Sequence, residues 1–126
     1  MPRLDAIGLV VSDMDGATAF YGRLGLEFTM KADDHSEAAG PGGLRVMFDS
    51  VASVQSFSSW EPPTGSHRVA LAFLCTDPAE VDGLHDDLCA AGASSHLAPF
   101  DAPWGQRYAT VLDADGNAVD LFAPLA

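Results

Sequence analysis

The residue with the sharpest chemical character in this chain is Asp120. It stands inside an apolar run, Ala118-Val119-Asp120-Leu121-Phe122. A carboxylate among apolar neighbours has its charged form disfavoured unless it finds a partner. Arg107, in the preceding strand-like segment, is the expected structural partner. A ligand cation or hydrogen-bond donor is the functional alternative, and a third use is as a general base, since proton abstraction needs only a positioned base of suitable pKa. His67 is the other candidate base. Trp60 and Trp104 bring faces that stack on a flat or cationic ligand. His35, His85 and His96 are scattered, and no H-x-E, H-E-x-x-H or 2-His-1-carboxylate spacing occurs. Cys75 and Cys89 form no C-x-x-C pair and read as two buried thiols.

Composition narrows the partners. The chain has 126 residues, 48% of them hydrophobic, so one domain with a real core is expected. Eighteen acids against 6 bases give a formal net charge of −12. Such a surface repels phosphate backbones and anionic membranes, which makes nucleic acid and membranes poor partners, and it attracts cations. No apolar run approaches the roughly 18 residues of a membrane span. The start, Met1-Pro2-Arg3-Leu4-Asp5, lacks the apolar core of a signal peptide. A cytoplasmic protein is expected.

The elements that must position these residues come as a repeat. Ala6-Ile7-Gly8-Leu9-Val10-Val11-Ser12-Asp13 and Ala70-Leu71-Ala72-Phe73-Leu74-Cys75-Thr76-Asp77 are both apolar runs of strand length ending at an aspartate. Each is followed by a helical pattern. Met14, Ala17, Phe20, Tyr21 and Leu24 share one face, with Asp13 as cap and Gly25 as stop. Val81, Leu84, Leu88 and Ala91 share another, with Asp77 as cap, Pro78 in the first turn, Glu80 completing a capping box and Gly92 ending the helix. His85 is expected near the solvent boundary of that helix. Strands then follow at 27–32, weakly at 35–39, and at 44–49 in the first half. The second half offers 95–98, 106–112 and 118–122, with Asp115-Gly116-Asn117 as a hairpin turn. Each half therefore reads β-α-β-β-β.

Two motifs resemble the vicinal oxygen chelate superfamily, which includes glyoxalase I, extradiol dioxygenases, fosfomycin-resistance enzymes and bleomycin-resistance proteins. One is Val11-Ser12-Asp13-Met14 with Ala19-Phe20-Tyr21 and Leu24-Gly25-Leu26. The other is Trp104-Gly105-Gln106-Arg107-Tyr108 with Leu112-Asp113-Ala114-Asp115-Gly116-Asn117 and Asp120-Leu121-Phe122. The resemblance covers nearly the whole chain. It implies an α+β fold of two tandem βαβββ modules whose curved mixed sheets enclose a cleft. This is one domain over 1–126, with module one at 4–49, a linker at 50–66 and module two at 67–124. Enzymes of the family hold a divalent metal on residues of the first and last strand of each module. The corresponding first-strand positions here are Ala6 and Ala70. The last strand of module two gives Asp120, and matching 44–48 to 118–122 gives Val46. Three of the four cannot ligate a transition metal, which wants three or four donors. No metal or other cofactor is expected.

Residues in phase with those positions are expected to face the cleft: Ala6, Gly8 and Val10; Leu44, Val46 and Phe48; Ala70, Ala72 and Leu74; Ala118, Asp120 and Phe122. With Trp60, Trp104, Tyr108 and Arg107 around them, the expected ligand-binding set is Asp120, Trp104, Trp60, Phe48, Val46, Ala6, Ala70, Phe122, Tyr108 and Arg107. For Phe48, Phe122 and Tyr108 the alternative is ordinary core packing. Three functions fit. The leading one is a metal-free binding protein similar to bleomycin-resistance proteins, sequestering a cationic or aromatic small molecule such as an antibiotic, with no catalytic residue. The others are a metal-dependent glyoxalase-like lyase, isomerase or dioxygenase, and a metal-free enzyme with Asp120 or His67 as base. The resemblance implies a homodimer under all three, with the cleft formed within one chain or across two.

Overall fold

In a computed structural model the chain is described over residues 1–65 and 67–126. The expected linker runs to Ser66, which lies outside the described residues. The chain divides into two compact units, Met1–Pro63 and Thr64–Ala126.

Unit 1 holds β1 (Ala6–Val11), α1 (Met14–Arg23), β2 (Glu27–Met30), β3 (His35–Ala39), β4 (Arg45–Ser50) and α2 (Val51–Gln55). Unit 2 holds β5 (Ala70–Leu74), α3 (Pro78–Ala90), β6 (Ser94–Ala102), β7 (Gln106–Leu112) and β8 (Ala118–Pro124). The strand orders are β1-β4-β3-β2 and β5-β8-β7-β6, each with one parallel and two antiparallel pairings. The fold is α+β, with two βαβββ modules. The short helix α2 has no counterpart in the sequence reading; Ser50 caps it by accepting from the Ser53 N–H.

The repeat is exact at its helix ends. The Asp13 carboxylate accepts from the Gly16 N–H at 3.2 Å, and Asp77 accepts from the Glu80 N–H at 2.9 Å. Glu80 reaches back to the Thr76 N–H, so the box closes one residue outside the cap. Gly25 (φ 93°) and Gly92 (φ 109°) then turn the chain out of α1 and α3 in the left-handed region, where a Cβ would be strained.

The faces follow from side-chain parity. In unit 2, Arg107 of β7 pairs with Asp82 of α3, so the Arg107 phase of β7 faces that helix. Ala109 and Val111, with Val119, Leu121 and Ala123 of β8, belong to it and are fully buried, together with Val81 and Leu88 of α3. Each of the larger aliphatic side chains gives about 1.5–3 kcal/mol on burial. His85 is in this layer, 8% exposed, with its Nε2 2.7 Å from the Ser95 hydroxyl. It is a satisfied core histidine, not the boundary residue expected. Cys75 is buried, as expected, and burial pushes its thiol pKa up; Cys89 is only half-buried.

In unit 1, Tyr21 of α1 contacts Phe48 of β4, ring centres 5.2 Å apart, and Phe28 contacts Phe48 at 5.4 Å. Phe48 is fully buried and Val46 nearly so, and both face α1. Val46 and Phe48, expected to face the cleft, therefore lie on the helix side of their sheet. Their strand pairs one residue out of the anticipated register, and a one-residue slip moves every side chain to the other face.

Candidate functional site

The open face of the unit 2 sheet, turned away from α3, is built from the opposite phase. The register sets Ala70 beside Ala118, Ala72 beside Asp120 and Leu74 beside Phe122 on β5 and β8. On β7 it sets Leu112, Thr110 and Tyr108 opposite Ala118, Asp120 and Phe122. Of the expected site residues, Ala70, Asp120, Phe122 and Tyr108 thus share one face.

Asp120 is held by a hydroxyl. Thr110 Oγ1 donates to Asp120 Oδ1 at 2.7 Å, and the Tyr108 phenol lies beside the same carboxylate. Tyr108 stays a protonated donor. Burial, and then the hydrogen bond and charge of Asp120, push its pKa up to about 12. Among the described residues Asp120 makes no ion pair. Arg107, its expected partner, lies on the helix face and pairs with Asp82 at 2.9 Å and Asp101 at 3.1 Å. Adjacent residues of a strand point to opposite sides, so Arg107 and Tyr108 cannot both reach Asp120.

Next to this carboxylate stands a cluster of three rings. Trp104 and Tyr108 are 5.3 Å apart, Phe100 and Trp104 6.2 Å, and Phe100 and Tyr108 6.3 Å, all close to edge-on. Trp104 is fixed by an Nε1–H bond to Gln106 Oε1 at 2.9 Å, yet it is 59% exposed. Leu74 (69%) and Leu97 (42%) extend the exposed apolar surface. Sequence reasoning missed Phe100 and Thr110. The signal was present for Thr110: it is two residues from Tyr108 and therefore in its phase.

The remaining expected residues belong to other elements. Trp60 is half-buried in unit 1, where its carbonyl accepts from Gln55 Nε2. His67 is tied to the β7–β8 turn: its Nε2 lies 2.8 Å from the Asp115 carbonyl, and Gly116 packs close enough that a Cβ there would sit 3.4 Å from the ring. The carbonyl accepts from Nε2–H, which leaves Nδ1 as the lone-pair nitrogen of the neutral ring. Asp113 organises the same turn, its carboxylate accepting from the N–H groups of Asp115 and Asn117 and from the Asn117 side chain.

Ala6 is on the open face of unit 1, paired with Arg45 as Ala70 is paired with Ala118. The unit 1 counterpart of Asp120, two residues on from Ala118, is therefore Met47, not Val46. The four positions that correspond to family metal ligands hold Ala6, Met47, Ala70 and Asp120. One carboxylate, one weak thioether and two methyls do not fit a divalent metal. Among the described residues no group of three or more His, Cys, Asp or Glu is placed to hold one.

The fold recurs in solved structures. A glyoxalase-related enzyme from Fulvimarina pelagi is 21% identical with a TM-score of 0.84, covering 98% of this chain and 88% of that one. A hypothetical protein of S. aureus is 20% identical with a TM-score of 0.83, covering 98% and 94%. A lactoylglutathione lyase from Agrobacterium tumefaciens is 21% identical with a TM-score of 0.68, covering 96% and 92%. No curated protein matches the sequence. No helix among the described residues is long and apolar enough to cross a membrane. Residues 3–121 match a family model, and the chain belongs to the Glyoxalase/Bleomycin resistance protein/Dioxygenase superfamily.

Proposed function

We propose that this chain is a small-molecule-binding protein that works without a metal and takes an organic cation with a flat or apolar body on the open face of unit 2. The observation that carries the reading is Asp120: a carboxylate oriented by Thr110, without an ion pair among the described residues, beside Tyr108, the exposed Trp104 and their ring cluster. The Thr110 hydroxyl fixes the carboxylate, and a ligand ammonium or amidinium supplies the countercharge. The rings then take the cation's flank and the apolar body by cation–π and stacking contact. The net charge of −12 favours approach of such a ligand. An antibiotic bearing a basic group is one molecule of this class.

The reading includes a cytoplasmic homodimer. Leu74 and Leu97 leave apolar sheet surface exposed on the single chain, and a symmetric pair of copies is the commonest assembly that covers such surface. Sedimentation at micromolar concentration reads this directly, with a mass near twice 13.2 kDa expected.

The test of binding uses benzyltrimethylammonium against the neutral benzyl alcohol and the anionic phenylacetate. Thermal shift and tryptophan fluorescence report occupancy. The cation alone is expected to bind, with W104A weakening it and D120N removing the preference for charge by about tenfold, the factor that ~1.4 kcal/mol supplies. Equal response to all three probes, or to none, overturns the assignment.

A further inference from the structure

The open face of unit 1 carries a different device, independent of the function proposed above. His35 of β3 stands directly opposite Asp49 of β4. Its Nδ1 is 2.6 Å from Asp49 Oδ1, and its Nε2 is 2.7 Å from Glu37 Oε2. Glu37 Oε1 accepts from Arg45 Nη1 at 2.7 Å, and Arg45 Nη2 reaches Asp5 Oδ2 at 2.7 Å. Arg3 lies 3.7 Å from Asp5. Charges thus alternate along a continuous chain from the end of β4 to the segment before β1.

The proton count of this arrangement is fixed by elementary chemistry. An ionised carboxylate only accepts hydrogen bonds. A neutral imidazole has one N–H, so one of its two nitrogens would face a carboxylate lone pair against lone pair. Both contacts are satisfied only when His35 carries two N–H groups, that is, as imidazolium.

We propose that His35, Asp49, Glu37 and Arg45 form a proton-gated latch: with His35 protonated it ties β3 to β4 and to the chain before β1, and loss of that one proton opens it. On deprotonation the Asp49 or the Glu37 contact turns repulsive, and the loss of the imidazolium charge makes the open face more negative by one unit. If Glu37 moves, it is freed from His35 next to Met47, its register partner and the counterpart of Asp120.

The groups facing His35 are few. Glu37 comes from its own strand and Asp49 from β4, while Arg45 acts through Glu37. Lys31, one residue after the end of β2, is engaged over the Phe28 ring. Hydrogen bonds donated to Glu37 first and to Asp49 second raise the His35 pKa above 6.5, against a smaller opposing effect of burial. The bonds from His35 and then Arg45 lower that of Glu37 below 4.5. The linkage signs follow. The raised His35 contributes stability that is complete below about 6.5 and is lost as pH rises through its folded value. The lowered Glu37 contributes stability that is complete above about 4.5 and is lost as pH falls through its folded value. The latch is therefore fully closed between those limits and opens on the alkaline side.

The experiment follows the imidazole carbon and proton signals of the intact protein by NMR from pH 5 to 9, with H35Q identifying the His35 signal. Hydrogen-exchange protection of residues 35–39 and 45–50 is measured across the same range. Expected are a His35 titration above 6.5, a shift back toward 6.5 in both E37Q and D49N, and a fall in protection at the pH where His35 titrates. A His35 titration at or below 6.5 overturns the proposal, and so does protection that passes through the titration without a step. The wild-type titration decides the question even if a variant fails to fold.

Discussion

Thr110 and Asp120 face each other directly across the β7–β8 ladder, and the threonine hydroxyl donates to the carboxylate at 2.7 Å. Thr110 is 4% exposed on a central strand, whereas Asp120 is half-exposed. The buried partner therefore positions the accessible one. T110V removes this donor and keeps the strand. Water can replace the hydroxyl at Asp120, so the expected cost is about 1 kcal/mol in urea unfolding, with T110S restoring most of it. The same variant is expected to weaken benzyltrimethylammonium binding less than D120N does. Equal loss in T110V and D120N would mean that the hydroxyl itself, and not the carboxylate, meets the ligand.

Tyr108 gives a spectroscopic readout of the same cluster. The chain has two tyrosines, so the difference between wild type and Y108F isolates one phenol. Ultraviolet titration is expected to place Tyr108 at about 12 instead of the ordinary 10. In D120N it falls only part of the way, because burial is the larger cause and remains. The sign for stability is that of any raised group: the contribution is complete below about pH 10 and is lost as pH rises through about 12. A phenol that titrates near 10 in the wild type would remove the Tyr108–Asp120 contact from the site.

Arg107 separates structure from binding. Its pairs with Asp82 and Asp101 join α3 and β6 to β7, on the face away from Asp120. Both acids are well exposed, so these pairs are screened by solvent and contribute little. R107A is expected to lower the thermal midpoint slightly, less so in 0.5 M salt, and to leave cation binding unchanged. Loss of binding in R107A with the midpoint intact would restore the pairing with Asp120 that its phase argues against.

The helices were the most legible part of the sequence, because period, cap and stop all agreed: α1 and α3 begin at Met14 and Pro78, directly after their aspartate caps. The strands β7 and β8 begin where the Asp115-Gly116-Asn117 turn and the alternation placed them. β6 is longer than its apolar run suggested. Pro99 ends the readable pattern but falls at a register shift in an edge strand, where a missing N–H is tolerated. The site was harder to read. Leu44-Arg45-Val46-Met47-Phe48-Asp49 has no clean alternation, and matching Leu44 to Ala118 by apolar character slipped the strand by one. The pairing of Ala6 with Arg45 corrects it. The His35 latch left no local signal, since its members come from two strands and meet only through the β3–β4 register.

Phe48 tests that corrected register most directly. It is fully buried against Tyr21 and Phe28 on the α1 side of its sheet. Truncating a buried aromatic removes its transfer energy and leaves a cavity that a well-packed layer closes only in part. F48A is therefore expected to cost about 3–5 kcal/mol in urea unfolding. Its helix-face position predicts no direct effect on a ligand, so the folded fraction should bind benzyltrimethylammonium as the wild type does. D120N is expected to show the reverse pattern, with little change in unfolding and a clear loss of the cation. An F48A variant that unfolds like wild type but loses the probe would return Phe48 to the ligand site, and would place the register of β4 one residue from where its pairing with β1 and β3 sets it.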